Sequence, residues 1–307
     1  MKKLGFFFFF VVITNTLFAQ YTPVINSKRP GASESPYGVG TDVLQVEAGI
    51  FAGSTDTDNE GVLTNPIGGH LFLRYGKFIE ALEINTNIVY QKNDIYTSTN
   101  NSPESVSGLS RLDIGAKYFI YQREFVDKSK EIRSWKLRNA YDKNRLIPSV
   151  GVYAGVNLNF VEEAYKQEGM SYKAALLLQN DFTKRLNLIT NILLDNISSE
   201  QQYFSYIFTV TYGFGNDWSI FGELQGKNYN DLGIKENIFG CGLAYLVSRD
   251  LQFDAAFRYN TNDLFTDMIG SVGVSWRLDN HKFEEAPTEE EQQEELRPEK
   301  VKNQPTN

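Results

Sequence analysis

Cysteine and histidine are scarce in this chain of 307 residues, which contains one cysteine and two histidines. With Cys241 alone, no disulfide bond can form within the chain, so backbone hydrogen bonds or a packed core must stabilise the fold. His70 and His281 lie far apart in sequence, and no group of His or Cys has the spacing of a transition-metal site. The composition therefore predicts no disulfide scaffold, no metal and no other cofactor.

Long apolar runs are absent after Ala19, and the mean hydropathy of the chain is −0.35. A membrane-spanning helix needs about 20 consecutive apolar residues, so the sequence excludes a helical membrane protein.

The first nineteen residues have the pattern of a secretory signal. Lys2 and Lys3 precede an apolar run from Phe6 to Ile13, and Leu17-Phe18-Ala19 forms a plausible cleavage edge. An N-terminal membrane anchor is the alternative, but polar residues interrupt the apolar run too early for a span of about 30 Å. We expect residues 1–19 to be a signal peptide that is cleaved on export.

Positive charge is in deficit, with 30 Lys and Arg against 38 Asp and Glu and a formal net charge of −8. An acidic protein repels the phosphates of nucleic acids, so no nucleic-acid partner is expected. Much of the acidity follows His281, where apolar side chains are almost absent. This composition predicts that residues 281–307 form a disordered acidic tail.

Strict alternation of apolar and polar residues is the dominant pattern between residues 42 and 280. In residues 44–53, for example, Leu, Val, Ala, Ile and Ala alternate with Gln, Glu, Gly, Phe and Gly. Successive side chains of a β-strand point to opposite faces, so each such run predicts a strand with one apolar face. About twelve runs occur, each near the length of roughly 9 to 11 residues with which a tilted strand crosses a membrane.

The lengths of the links between the runs distinguish a membrane barrel from a soluble β-sandwich, which also alternates. Links after even-numbered strands are mostly tight turns, such as Gly76-Lys77, and links after odd-numbered strands are longer and polar, such as residues 92–106. This asymmetry is typical of bacterial outer-membrane barrels. We therefore predict an all-β fold, a transmembrane antiparallel up-and-down β-barrel of about 12 strands over residues 42–280.

Two further segments complete the predicted organisation. Residues 20–41 are expected to form an N-terminal segment on the periplasmic side, and residues 122–145 a basic periplasmic insertion after the fourth strand. An even number of strands places both termini on the side of the short turns, which is the periplasmic side of such barrels. A solvated, partly helical insertion and a docking site are both open interpretations of residues 122–145.

The polar faces of the strands contain the candidate site, because they point into the lumen if the apolar faces contact lipid. Their charges are nearly balanced, so they either line a path for a small solute or pair into a ladder that fills the interior. Glu83 and Asp113 could oppose Arg258 and Arg277 across such a narrow barrel. The predicted lumen-lining residues are Glu47, Arg74, Glu83, Arg111, Asp113, Lys117, Lys173, Asp181, Asp195, Glu223, Asp254, Arg258 and Arg277.

The chain also resembles a known family at both ends of the predicted barrel. Residues 25–50 contain Arg29-Pro30, Glu34-Ser35-Pro36 and Gln45-Val46-Glu47, and the last strands contain "DWSIFGELQG", "GCGLAYLVSRDLQFDAAF" and "GSVGVSWRL". These motifs are similar to those of outer-membrane transporters grouped as the MetA-pathway phenol-degradation family. The resemblance implies a barrel that passes small molecules, with Arg29, Pro30, Glu34, Ser35 and Pro36 as family-motif residues. The basic insertion and the tail depart from the family pattern.

Together these observations predict a porin-like transporter of the outer membrane, with membrane lipid, a small solute and the barrel-insertion machinery as its partners. The alternative is a structural or assembly barrel that binds a periplasmic protein partner through the insertion and the tail. No spacing of Ser, His and acidic residues indicates a catalytic site, so an enzyme is not expected.

Overall fold

The computed structural model describes residues 22, 24–57, 61–97, 102–122, 142–167, 169–229, 231–262 and 264–281. Within these ranges the chain forms twelve antiparallel strands that close into a barrel, in which β1 pairs with both β2 and β12. This confirms the predicted fold. The strands are β1 (Val43–Thr57), β2 (Val62–Gly76), β3 (Leu82–Thr97), β4 (Glu104–Tyr121), β5 (Ser149–Asn157), β6 (Ser171–Asp181), β7 (Leu186–Ile197), β8 (Tyr203–Phe214), β9 (Trp218–Tyr229), β10 (Ile234–Ser248), β11 (Leu251–Thr261) and β12 (Thr266–Asp279).

Closure between the first and last strands satisfies the backbone of what would otherwise be two sheet edges. The β1–β12 register runs without interruption from Val43 opposite Asp279 to Asp56 opposite Thr266. An unpaired backbone group in hydrocarbon costs several kcal/mol, so only a closed ladder is compatible with lipid around the barrel. Two short 3-10 helices, Lys143–Leu146 and Glu163–Tyr165, lie in the links before and after β5. None of the helices in the described ranges is long and apolar enough to cross a membrane.

The two ends of the barrel differ in their connections, and we name them accordingly. The turn rim has the short links 77–81, 182–185, 215–217 and 249–250, together with the start of β1 and the end of β12. The loop rim has the links after the odd-numbered strands. Residues 123–141 of the predicted basic insertion and residues 282–307 of the predicted tail lie outside the described residues.

The first hairpins extend further toward the loop rim than the sequence predicted. Much of residues 92–106 was expected to be a loop, but β3 continues to Thr97 and β4 begins at Glu104. These strands have 16 and 18 residues, more than the hydrocarbon core requires. The loop expectation was wrong there because strand pairing needs only backbone partners, and polar strands can continue into water beyond the apolar band.

The outer face of the barrel is apolar and carries aromatic rings near the rims. Ile50 and Val272, in the middle of their strands, and Phe253, near the start of β11, are half or more exposed, as expected for side chains that face lipid. At the turn rim, Trp218 packs against Phe214 and Tyr245, with ring centroids 6.3 and 4.6 Å away. Such rings favour the boundary between hydrocarbon and water.

The segment before β1 lies inside the barrel, which the sequence did not predict. We expected residues 20–41 to form an N-terminal segment on the periplasmic side, and residues 24–41 enter the lumen from the turn rim. The Ile25 amide donates to the Arg249 carbonyl at 2.8 Å in the β10–β11 turn, and the amides of Ala32 and Val39 donate to Glu223 and Glu83 at 2.8 and 3.1 Å. Inward carboxylates thus attract this segment by binding its backbone N–H groups, which would be unsatisfied on a dry surface.

Candidate functional site

The inserted segment has a cavity on each side of it within the lumen. The loop-side cavity has a volume of about 600 Å³ and extends to Glu236 and Asp267 near the loop rim. The turn-side cavity has a volume of about 170 Å³ and extends to Asn187 and Ser219 near the turn rim. The same four residues, Lys28–Gly31, line both cavities. We call these four residues the partition.

Arg29 anchors the partition to the part of the barrel wall formed by β2, β1, β12 and β11. Its guanidinium donates to both oxygens of Asp254 on β11, with Nη2 2.7 Å and Nε 3.1 Å from Oδ1, and it also contacts a ring nitrogen of His70 on β2. Gly49 and Gly273 lie beneath the guanidinium, and a Cβ atom at either position would overlap it. Bidentate guanidinium–carboxylate contacts are strong and directional. Two glycines of the barrel wall therefore leave room for the side chain that ties the partition to β11.

Glu47 of β1 holds the start of the partition and Ser27, the residue before it. It accepts hydrogen bonds from the Ser27 hydroxyl at 2.9 Å and from the amides of Lys28 and Arg29 at 3.2 and 3.1 Å. Arg74 of β2 lies 3.3 Å from the same carboxylate. Both side chains are almost completely buried, so the segment covers a charge pair that the strands alone would leave open to the lumen.

Glu34 belongs to a second group of charges beneath the inserted segment, after the pair of Glu47 and Arg74. Lys117 of β4 lies 3.1 Å from Glu34 and 3.3 Å from Glu83, and Arg74 donates to Glu83 at 2.8 Å. Burial alone would raise the pKa of Glu34, but the charges of Lys117, Lys28 and Arg74 outweigh it and hold that pKa well below its ordinary value. A buried cluster with two cations and two carboxylates is neutral as a whole, which makes its desolvation tolerable.

A third cluster lines the loop-side cavity. Asp195 of β7 accepts hydrogen bonds from Arg111 at 2.9 Å, Tyr203 at 2.9 Å and Asn157 at 3.0 Å, and Lys173 lies 3.8 Å away. Arg111 also donates to Asp113 at 2.6 Å. This part of the cavity wall thus consists of cationic side chains that pair with the same buried carboxylates.

The predicted lumen-lining residues all lie on strand faces that point into the barrel, but their partners differ from those expected. Arg277 pairs with Asp250 of the β10–β11 turn at 2.7 Å and donates to the Thr22 carbonyl, so it belongs to the turn rim. Arg258 lies 3.8 Å from Glu223 on β9. Asp181 accepts a hydrogen bond from Tyr37 of the inserted segment at 2.9 Å. The expected opposition of these arginines to Glu83 and Asp113 is wrong, because each carboxylate pairs with a cation on its own or an adjacent strand.

The family-motif residues form the part of the segment that turns inside the lumen. Arg29 and Pro30 belong to the partition, and the backbone of Glu34 exchanges two hydrogen bonds with the Asn191 side chain at 2.6 and 2.8 Å. Ser35 and Pro36 are buried, and Pro36 packs against Gly151 of β5. The motif therefore fits the shape of the barrel interior.

Sequence reasoning missed several residues that hold the segment or line the cavities. The uncharged ones are Ser27, Tyr37, Asn191, Tyr203 and Ser275, and the missed ion pair is Lys227 with Glu236 at 2.9 Å. Asn191 and Tyr203 sit at inward positions of alternating runs, so a search for uncharged polar residues on those faces would have found them. Among the described residues, no three or more His, Cys, Asp or Glu side chains are grouped to hold a metal ion.

Comparison with solved structures gives barrels of the outer membrane. A COG4313 outer membrane channel from Pseudomonas putida F1 matches with 9% identity and a TM-score of 0.55, over 83% of this chain and all of that one. The CymD monoaromatic hydrocarbon channel matches with 8% identity and a TM-score of 0.43, over 79% of this chain and 90% of that one. The KdgM porin in complex with disordered oligogalacturonate matches with 11% identity and a TM-score of 0.45, over 75% and 99%.

Sequence comparison identifies the family directly. A search of the curated proteins found none that matches this chain. The family model described as "Putative MetA-pathway of phenol degradation" matches residues 27–278, from the start of the partition region to the last strand. The match covers most of the chain and confirms the resemblance noted in the sequence. The chain belongs to this family.

Proposed function

We propose that this protein is an outer-membrane channel that passes a small solute between the loop-side cavity and the turn-side cavity, past the partition. Its barrel would face the outside of the cell with the loop rim and the periplasm with the turn rim. We also propose that residues 1–19, which lie outside the described residues, direct export as a cleaved signal, and that the barrel-insertion machinery places the barrel in the membrane.

The observation on which the proposal rests is the shared lining of the two cavities by Lys28–Gly31. A scaffold barrel of this width can be filled by side chains throughout, whereas this lumen keeps open volume on both sides of one short piece of chain. The partition is covalently continuous with β1, but side-chain contacts hold it against the barrel wall. Breaking a few of these contacts would join the cavities without disturbing the strand ladder.

The contacts of the partition suit a segment that can be displaced. They are hydrogen bonds and ion pairs, such as Arg29 with Asp254 and the Ser27 hydroxyl with Glu47, and water entering the lumen can replace them. The densely paired cluster of Arg74, Glu83 and Lys117 lies closer to the turn rim and is buried. We propose that this cluster stays in place while the partition moves.

A transport role accounts for the lumen without catalysis. His70 contacts the Arg29 guanidinium, so it is not arranged to accept a proton from a nucleophile. One solved structure that matches this fold with a TM-score above 0.5 is described as a channel. We therefore propose no enzymatic activity.

The alternative is a closed structural barrel that binds periplasmic partners through its insertion and tail. One observation favours it, which is the continuous set of buried ion pairs around the inserted segment. The segments proposed to bind such partners lie mainly outside the described residues.

Conductance of the purified full chain in planar lipid bilayers tests the proposal. A channel gives steady single-channel currents in potassium chloride, of small amplitude because the partition narrows the path. A closed scaffold gives no steady current at any applied voltage, and that result would overturn the proposal in favour of the alternative.

A further inference from the structure

The charges around the loop-side cavity are unequally exposed. In four ion pairs at this cavity, the cation keeps 18 to 34% of its side-chain surface exposed while its acid partner keeps 1 to 9%. These pairs are Arg111 with Asp195, Lys173 with Asp195, Lys227 with Glu236, and Arg258 with Glu223. The carboxylates lie behind the cations, against the wall. Although the charges nearly balance, the surface that a solute would touch is cationic.

Lys28 extends the cationic surface onto the floor of the cavity. Its side chain is 25% exposed, against 9% for that of its partner Glu34, from which it lies 3.4 Å away. Its ammonium group also lies 4.6 Å from the centre of the Phe72 ring. The ammonium group of Lys28 thus lies on the partition itself, at the point where a solute would leave the cavity.

Lys173 and Arg258 are the cations held most loosely. Each lies 3.8 Å from its acid partner, beyond hydrogen-bond distance. Both acids have other donors, since Asp195 accepts from Arg111 and Tyr203, and Glu223 accepts from the amides of Ala32 and Ser33 and from Thr209. The two cations lie on β6 and β11, on opposite sides of the barrel. Arg258 also donates one long hydrogen bond of 3.4 Å to the Pro30 carbonyl, and the Lys173 ammonium lies 5.6 Å from the centre of the Tyr153 ring. Their weakly engaged donor groups can therefore turn to an anion that enters between them.

Acidic groups that face the cavity do not reverse this balance. Glu47 and Asp195 are almost completely buried, and Glu236 binds Lys227 at 2.9 Å and the Asn260 amide at 3.3 Å. Asp267 stays partly open, and it accepts a hydrogen bond from Thr55 at 2.9 Å. It lies near the loop rim, away from the partition.

Apolar side chains complete the lining of the same cavity. Phe51 and Phe72 come from β1 and β2, Ile269 from β12, and Ile207 and Ile238 from β8 and β10. A volume of about 600 Å³ lies in the range of small-molecule sites, which combine apolar walls with a few placed polar groups. An apolar body can contact these side chains while a charged head reaches the cations.

We propose that the loop-side cavity binds small organic anions that carry an apolar group, with Lys173, Arg258 and Lys28 as the anion-binding residues. The inference rests on the proposed channel function and names the class of solute that the channel selects. Fixed positive charge concentrates anions in a narrow lumen, and the apolar wall distinguishes an amphipathic anion from chloride.

Three probes of similar shape and different charge test the inference: benzenesulfonate, the neutral benzenesulfonamide and the phenyltrimethylammonium cation. Each is added to the full chain in planar bilayers, and the block of the potassium chloride current is measured. We expect benzenesulfonate to block at a several-fold lower concentration than either other probe. The reversal potential in a salt gradient should show selectivity for chloride over potassium.

The variants Lys173→Gln and Arg258→Gln, singly and together, test the residues. We expect each to weaken the block by benzenesulfonate several-fold and to leave the weak effect of the neutral probe unchanged. Lys166→Gln removes the same charge from the exposed link between β5 and β6, outside the cavity lining, and should change nothing. The remaining partners of Asp195 and Glu223 should keep the variants folded. Gel electrophoresis with and without heating checks this, because we expect the variants to show the same heat-induced change in mobility as the parent protein.

The outcomes separate this inference from the proposed function. Steady current with equal block by all three probes, or with stronger block by the cation, overturns the inference and leaves the channel standing. A protein without current overturns the channel, and calorimetric titration of the protein in detergent with the same probes then decides the inference. Binding of benzenesulfonate that the double variant loses supports it, and no preference for benzenesulfonate overturns it.

Discussion

Arg29 and Asp254 join the inserted segment to β11 of the barrel wall, with Nη2 of the guanidinium 2.7 Å from Oδ1 of the carboxylate. The Asp254 side chain is completely buried and that of Arg29 almost so. Removing the cation would leave a buried carboxylate without a partner, which strongly destabilises a folded protein. The pair therefore holds the partition in its place in the lumen. We expect this contact to set both the stability of the inserted segment and the width of the proposed path beside it.

Replacing the cation of this pair should open the lumen. Arg29→Ala leaves Asp254 buried without a charged partner, and breaking a buried pair costs about 3–5 kcal/mol of unfolding free energy. We expect a several-fold higher single-channel conductance and a lower midpoint of unfolding in urea. The double variant with Asp254→Asn removes the stranded charge, so it should recover stability while keeping the high conductance. If the single variant conducts like the parent protein, the partition does not restrict the path.

The glycines under the guanidinium offer a second way to displace it. A Cβ atom at Gly273 would overlap the guanidinium of Arg29, whereas one at Gly222 has open space around it. Gly273→Ala should therefore raise conductance in the same direction as Arg29→Ala, with a smaller loss of stability because the cation remains. Gly222→Ala is the matched control and should leave both quantities unchanged. Equal conductance of the two variants would argue against the contact.

The cluster near the turn rim should contribute to stability and not to selectivity. Glu83→Gln removes the carboxylate that Arg74 and Lys117 share, and leaves two buried cations with less compensation. We expect a lower melting temperature by circular dichroism and an unchanged reversal potential. Glu104→Gln, at an exposed position where β4 begins, is the control and should melt like the parent protein. A changed reversal potential with unchanged melting would place Glu83 on the solute path.

The strands were predictable from the sequence because their pattern is local. Alternation over a few residues decides which side chains face lipid, and the links decide how neighbouring strands connect. The ends of β3 and β4 were less predictable, since polar residues pair as well as apolar ones once a strand has left the membrane. Backbone pairing there depends on the partner strand, which a single run of residues does not reveal.

The lumen was predictable in its composition and not in its contacts. Inward positions followed from the alternation, but the partners of Arg258 and Arg277 depend on register and on turns that the pattern does not fix. The position of the segment before β1, inside the lumen, was not predicted at all. It has no periodic pattern, and its place is set by contacts with β1, β9 and β11, whose residues lie up to 225 positions away.

The orientation of the barrel is tested by labelling single cysteines in intact cells. Leu232 lies exposed in the β9–β10 loop and Phe78 lies exposed in the β2–β3 turn. In a Cys241→Ser background, we expect a membrane-impermeant maleimide to label Leu232→Cys in intact cells. It should label Phe78→Cys only after permeabilisation, because the turn rim faces the periplasm. The reverse pattern would invert the topology.

The most direct test of the account is to lock the segment in place and measure the current. The hydroxyl oxygens of Ser27 and Ser275 lie 2.6 Å apart, so Ser27→Cys with Ser275→Cys can form a disulfide that ties the segment to β12. In the Cys241→Ser background, we expect a low single-channel conductance when this bond is oxidised and a several-fold rise when a reductant breaks it. Conductance that is the same in both states would contradict the claim that solute passes by displacement of the partition.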